Sequence, residues 1–350
     1  MDLPTDEKIF LITRNLNEIL GNLDDIKDIL IERPLKIYWG TATTGSPHFG
    51  YFLHMLKIAD YLDAGCDVTI LLADLHAVLD NLKSTFEQVN FRTQYYEIII
   101  TEMLKLLKVD LTKLKFIKGS DFQLEKQYTF DMYRANTLIN QNESKHAGAE
   151  VVKQSDNPTM SGLLYPILQT LDLHYLDCDV FSGGLDQRKI NVFARSLLPK
   201  LGYSKGFHFM TKMVPGLSKV KNCSLDKMSA SEINTKIDLL DNPNILKKKI
   251  ASTYCLQGDV NDNTLIIFIE ILLFPILKRL GLNFNINRPE KYGGLTVYEN
   301  FENIKSDFVE KKLHPGDLKL GLLDCLVNLL KPIRDKFEET EMKDLLKLAY

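Results

Sequence analysis

Two hydrophobic periods alternate along the first two hundred residues. Phe49, Leu53, Leu56, Ala59 and Leu62 recur at spacings of four and three, which predicts a helix with one face packed on a sheet and Gly65 as its stop. Ser46 and Pro47 supply N-cap and first-turn chemistry for its start. Mostly apolar runs at 35–39 and 68–73 flank it and read as buried strands. Strand, helix, strand is a βαβ unit, so the strands should be parallel with a right-handed crossover. The alternation continues through a helical stretch at 89–107, a strand at 114–117, a strand at 179–181 running into Ser182-Gly183-Gly184, a helix at 190–198 and a strand near 207–210.

This pattern predicts an α/β fold, a doubly wound Rossmann-like parallel sheet, followed by a mostly α-helical C-terminal part. The expected division is N-terminal amphipathic helices over 1–33, the Rossmann-like domain over 34–232 and the helical domain over 233–350. Ligands of such sheets sit at the carboxyl ends of the strands. Two small-residue loops fall there, Gly40-Thr41-Ala42-Thr43-Thr44-Gly45 and Ser182-Gly183-Gly184.

Composition narrows the function classes. The 350 residues hold 46 acidic and 43 basic side chains for a net charge of −3, so a nucleic-acid partner would need a local patch rather than a global basic bias. Cys66, Cys178, Cys223, Cys255 and Cys325 form no CxxC pair, which argues against a disulfide framework or a zinc knuckle. No Asp/Glu/His cluster has the spacing of a resident metal site. The first residues carry neither a basic nor an apolar leader region, and the most apolar stretch is too short to span a bilayer. The expectation is a cytoplasmic protein with no membrane segment.

His48 follows the first loop, where free backbone N–H groups and a helix dipole favour a phosphate. Neither GxxxxGK[ST] nor GxGxxG is present, which counts against Walker-type NTPases and nicotinamide dehydrogenases. A second segment, Ser224 to Glu232, puts Lys227 on a hydroxyl-rich loop that can close over a polyphosphate, and Ser229 with Glu232 also makes a capping box. Together, about 180 residues apart, His48-Phe49-Gly50-Tyr51 and Lys227-Met228-Ser229-Ala230-Ser231 resemble the HIGH and KMSKS signatures of class I aminoacyl-tRNA synthetases. Further words sharpen the likeness: Lys36 to Gly45, Ala73-Asp74-Leu75-His76-Ala77, Gly162 to Pro166, Gly183 to Lys189, and His314-Pro315-Gly316-Asp317-Leu318-Lys319. From about residue 8 onward the chain resembles tyrosyl-tRNA synthetases of the eukaryotic and archaeal type.

That resemblance implies roles. Tyr38 and Asp172 would meet a phenol hydroxyl, as donor and acceptor. Tyr165, Gln169 and Gln187 would surround the α-ammonium of L-tyrosine, with Ala73 and His76 lining the pocket. Tyr165, Gln169 and Asp172 fall at i, i+4 and i+7, one face of a helix. Gly40, Thr43, His48, Gly50, Gly184, Asp186, Lys227 and Met228 would bind ATP, with His48, Lys227 and Ser229 as the catalytic set and Mg2+ arriving with ATP. Lys153 and Arg188 would approach the acceptor end of tRNA(Tyr), while His314 and Asp317 read the anticodon from the helical domain. The resemblance also implies a homodimer. It implies no editing domain, since a site built to bond a hydroxyl rejects the analogue lacking it, a rule this family commonly illustrates.

Two departures stand out. Ala230 replaces the second lysine of KMSKS, and Tyr51 replaces the last histidine of HIGH. The stretch from Leu217 to Asp226 is also longer than usual. A tryptophan enzyme of the same fold, a small nucleotidyltransferase, and a degenerate RNA-binding paralogue are the alternative readings.

Overall fold

The computed structural model describes residues 3–80, 85–152, 159–213, 216 and 236–350. The chain opens with α1 (Thr5–Thr13), β1 (Leu16–Leu20) and α2 (Leu23–Glu32), and then enters the first parallel strand, β2 (Lys36–Thr41). Next come α3 (Phe52–Asp63), β3 (Asp67–Leu72), α4 (Asp74–Leu79), α5 (Phe86–Leu106) and β4 (Leu114–Lys118). Three helices, α6 (Lys126–Asn136), α7 (Gln141–Gly148) and α8 (Met160–Tyr175), separate β4 from β5 (Val180–Gly184). The sheet is completed by α9 (Arg188–Leu197) and β6 (Phe207–Thr211).

The six strands lie in the order β1-β6-β5-β2-β3-β4, with every neighbouring pair parallel except β1 against β6. The doubly wound sheet is therefore as the periodicity predicts, with one correction. Residues 16–20 are an antiparallel edge strand rather than part of a helical run. Asn15 with φ 62° and Gly21 with φ 139° turn the chain sharply at either end of it, and an added Cβ at Gly21 would lie 2.4 Å from the Phe207 ring.

The C-terminal part holds α10 (Pro243–Ser252), α11 (Thr264–Phe268), α12 (Phe274–Leu280), α13 (Phe301–Val309), α14 (Pro315–Leu329), α15 (Lys331–Phe337) and α16 (Thr340–Ala349). A second correction belongs here. A hairpin of β7 (Phe284–Asn287) and β8 (Leu295–Tyr298) interrupts the helices. Phe284 and Ile286 point inward while Asn285 and Asn287 face water, and Gly293 and Gly294 turn with positive φ. One hydrophobic core runs from Ile12 to Met342. Within it the Phe49 ring, beside His48, packs 5.2 Å from Phe268 of α11. Among the described residues, no helix is long and apolar enough to cross a membrane.

Candidate active site

Winding turns around between β2 and β5, because β3 and β4 are added on one side of β2 and β6 and β1 beyond β5 on the other. Such a switch point opens a crevice at the carboxyl ends of the strands. A cavity of about 290 Å³ lies there.

Its floor is built by β2 and α8. Tyr38, at mid-strand, is buried with its ring tilted against Phe181 at 5.2 Å. Tyr165, Gln169 and Asp172 reach the cavity from α8, as their i, i+4, i+7 spacing requires. Asp172 is 1% exposed. Its Oδ1 accepts from Gln123 Nε2 at 2.7 Å and from the Tyr128 hydroxyl at 3.0 Å. Oδ2 has no hydrogen-bond partner. Burial pushes this carboxyl up to about 7, with the Gln123 and Tyr128 hydrogen bonds pulling the other way. Burial, and the nearby Asp172 charge, also push the Tyr38 hydroxyl well above its usual range, so it stays a proton donor. A phenol donor and a buried acceptor oxygen thus share one floor, the pairing that reads a group able both to donate and to accept.

Ala73, His76 and Gln187 also line the cavity. The His76 ring meets Tyr165 edge to face at 4.6 Å, and neither ring nitrogen has a hydrogen-bond partner. Its Nε2 lies 3.9 Å from Asp172 Oδ2, beyond a direct hydrogen bond. Gln169 donates to Gln187 Oε1 at 2.5 Å, which joins α8 to the end of β5. The sequence reading missed Gln123 and Tyr128, and also Asp80, a buried carboxylate of the cavity wall whose charge acts on Tyr165.

The strand tip is organised by His48. The helix does not start at Ser46-Pro47. A single 3-10 turn, Phe49–Tyr51, precedes α3, and His48 is its N-cap. Lys236 Nζ occupies the Ser46 carbonyl at 3.1 Å and the Tyr96 hydroxyl donates to the Gly45 carbonyl, so these carbonyls serve distant partners. Phe49 N–H donates to the Ile237 carbonyl at 2.8 Å, and His48 forms an isolated antiparallel bridge with Asp238. His48 Nδ1 accepts from Gly50 N–H at 3.2 Å. The proton of the neutral ring is therefore on Nε2, the tautomer that can donate to an anion. Burial, aided by Lys236, lowers this imidazole to about 3 and keeps it neutral.

Gly40, Gly50, Gly184 and Asp186 line the same cavity, joined by Lys212 and Met213 from beyond β6. At Gly184 an added Cβ would meet Asp186 Oδ1 at 2.5 Å and Met213 Sδ at 3.5 Å, so a side chain here would displace the Asp186 carboxylate. Thr43 is not brought to the cavity. It is fully buried, and its hydroxyl pairs with that of Thr93 at 3.3 Å. Arg188 lies outside as well, in an ion pair with Glu18 of β1 at 2.8 Å. His314 caps α14 through its Nδ1, with Asp317 in the first turn, and neither lines the cavity. Lys153, Lys227, Met228 and Ser229 lie outside the described residues. Among the described residues, no group of three His, Cys, Asp or Glu side chains could hold a metal ion.

Burial lowers His48 to about 3 and His54, His76 and His208 to about 4. Unfolding returns each to about 6.5, so between these values the unfolded chain binds more protons and stability falls as pH falls. Asp172 has the opposite sign, its contribution being lost as pH rises from about 4 to 7. Four imidazoles outweigh one carboxyl. The urea midpoint is expected to be lower at pH 5 than at pH 7.5, and an equal or higher midpoint at pH 5 would contradict this.

Comparison with known proteins fits this geometry. The model of the family described as tRNA synthetases class I (W and Y) matches residues 31–331. The cytoplasmic tyrosine–tRNA ligase of Xenopus tropicalis is 51% identical over 348 residues, covering 99% of this chain, which spans 64% of that relative's length. The cytoplasmic tyrosine–tRNA ligase of Saccharomyces cerevisiae is 51% identical over 338 residues, covering 95% of this chain and 84% of the relative. Among solved structures, a tyrosyl-tRNA synthetase of Archaeoglobus fulgidus complexed with L-tyrosine superposes with a TM-score of 0.82 at 32% identity, over 95% of this chain and 99% of that one. With the family model matched over most of its length, and two relatives identical at half of the aligned positions, the chain belongs to the tRNA synthetases class I (W and Y).

Proposed function

We propose that this chain is a cytoplasmic tyrosine–tRNA ligase, which makes tyrosyl-adenylate from L-tyrosine and ATP and passes the tyrosyl group to the 3′ end of tRNA(Tyr). The observation that carries this reading is the partnerless Asp172 Oδ2 on the same cavity floor as Tyr38. Tyrosine seats its hydroxyl on these two groups, and its ammonium lies among Tyr165, Gln169 and Gln187 beside the Asp80 charge. The tyrosine carboxylate attacks the α-phosphorus of ATP in line, and pyrophosphate leaves. A terminal ribose hydroxyl of the tRNA then attacks the acyl carbon, and AMP leaves. Such a displacement needs alignment and charge stabilisation more than a strong base. His48 Nε2–H and Lys227 supply the charge stabilisation, Gly184 and Asp186 face the ribose, and Mg2+ enters with ATP.

Residues 34–232 form the catalytic domain in this reading and 233–350 the anticodon-binding domain, with His314 stacking on a splayed base and Asp317 accepting its donors. Lys153 and Arg188 face the acceptor end. The active form is a homodimer. In its favour, Leu124, Phe130, Tyr133 and Leu138 expose apolar surface on and around α6.

ATP–pyrophosphate exchange with single amino acids tests the reading. Exchange with tyrosine alone is expected. Exchange driven by tryptophan would favour the neighbouring specificity, and none with any amino acid would overturn the enzyme assignment. Asp317→Ala is expected to leave exchange intact and slow tRNA charging by about tenfold to a hundredfold. Unchanged charging kinetics would remove Asp317 from the anticodon site.

A further inference from the structure

Lys236 is 4% exposed, a depth at which lysine is almost never found unless it is paired. Its Nζ donates to the Ser46 carbonyl at 3.1 Å and stands 3.5 Å from Asp238 Oδ2. The first of these contacts falls on the peptide that leads into Pro47 and His48. The proline ring fixes its own φ, so ψ of Pro47 is the one soft backbone dihedral between that pinned peptide and the peptide joining Pro47 to His48. On the far side of His48, Phe49 N–H donates to the Ile237 carbonyl at 2.8 Å. His48 is thus held between two peptides, each fastened to residues 236 and 237, and it bridges to Asp238 as well. Of these contacts, only that of Lys236 with Ser46 is made through a side chain, so it alone is open to substitution.

What is held in this way is the direction of one N–H. His48 Nδ1 is committed to Gly50 N–H, which leaves Nε2–H as the donor. A donor of this kind works by standing in place before charge develops, and a misplacement of about 1 Å costs about a hundredfold in rate. Lys236 itself is not among the described residues that line the cavity. We propose that Lys236 is a positioning residue for adenylation, fixing the His48 donor at the strand tip through the Ser46 carbonyl while touching neither ATP nor tyrosine. This rests on the ligase reading, with His48 as the donor to the phosphate.

Lys236→Met keeps the buried stem and removes the ammonium, whereas Lys236→Arg keeps a charged donor. Tyrosine-dependent ATP–pyrophosphate exchange is measured for both, alone and combined with His48→Ala. The methionine variant is expected to lower kcat about tenfold to a hundredfold, the range of a charged hydrogen bond, with the KM for tyrosine within about twofold. Arginine should recover part of the rate. Added to His48→Ala, the methionine substitution should cost less than about threefold, because residues that act as a unit are not additive. The full factor reappearing in that background would mean that Lys236 acts independently of His48, and would overturn the proposal. So would an unchanged kcat, or a KM for tyrosine that rises as far as kcat falls, the mark of a general loosening of the fold. Lys236→Gln, which keeps an uncharged N–H donor, is read by the same criteria if the methionine variant does not fold. Any of these failures in a protein whose wild type exchanges with tyrosine overturns this proposal alone. A wild type with no exchange overturns the ligase reading and this proposal with it.

Discussion

Asp172→Asn is expected to lower kcat/KM for tyrosine activation by about a thousandfold while making the free protein more stable at pH 8. The two effects have one origin. Asp172 is buried, and its folded-state pKa of about 7 lies above the usual carboxylate value of 3.8. Above pH 7 the folded protein therefore carries an ionised carboxylate that it holds less comfortably than the unfolded chain does. At 1.36 kcal/mol per unit, the difference sets an upper bound of about 4 kcal/mol. Asparagine removes the charge and can still accept from Gln123 and Tyr128 through its carbonyl oxygen. What it loses is the acceptor at the Oδ2 position, replaced by an N–H2 that opposes the phenol's O–H. Truncating one partner of a buried charged hydrogen bond costs 2–5 kcal/mol, hence the thousandfold figure. In the wild type, protonation of Asp172 below about pH 7 should raise the KM for tyrosine, a limb missing from the asparagine variant. Normal activation by Asp172→Asn, or an equal thermal midpoint at pH 8, would refute the argument.

His48→Ala is expected to cut the adenylation rate by a hundredfold to a thousandfold, acting on kcat more than on the KM for ATP. A preorganised donor aimed at developing charge is worth about that much. The donor here is fixed without freedom to retautomerise, since Nδ1 is committed to Gly50 N–H. With the imidazole lowered to about 3, its contribution should be constant from pH 5 to 9. His48→Gln, whose amide nitrogen reaches the Nε2 position, should retain part of the rate. A pH-dependent loss with midpoint near 6.5, or a loss confined to the KM for ATP, would mean that His48 binds as a cation rather than stabilising the transition state.

Much of this site is legible in the sequence because its parts are local words. Tyr38 stands on a buried strand, and Tyr165, Gln169 and Asp172 repeat at helical spacing, so each word carries its own geometry. What the words do not carry is long-range support. Gln123 and Tyr128 hold Asp172 from 49 and 44 residues away, and no periodicity links them to it. Lys236 takes the Ser46 carbonyl across 190 residues, which defeats the local Ser-Pro signal and moves the cap to His48. Thr43 has the right residue type for a phosphate loop, yet it faces α5, where Thr93 meets it. The strand at 16–20 hides because Leu16, Ile19 and Leu20 mimic helical spacing in a segment of only five residues. The hairpin near 290 has alternation and paired glycines as its signal, but the surrounding helical stretches dominate any window that contains it.

The antiparallel edge strand has a kinetic consequence. Leu16–Leu20 is made well before its partner residues 208–211, which follow roughly 190 residues later. Loop-closure entropy grows only logarithmically with such a separation, so the equilibrium cost is modest, but a contact this distant forms late on the folding route. During synthesis the N-terminal segment must wait unpaired until β6 has left the ribosome, and β6 in turn emerges with one side open. The open side of β6 is therefore covered by a segment made much earlier, and the interval before they pair is when the nascent protein is most prone to pair with the wrong strand.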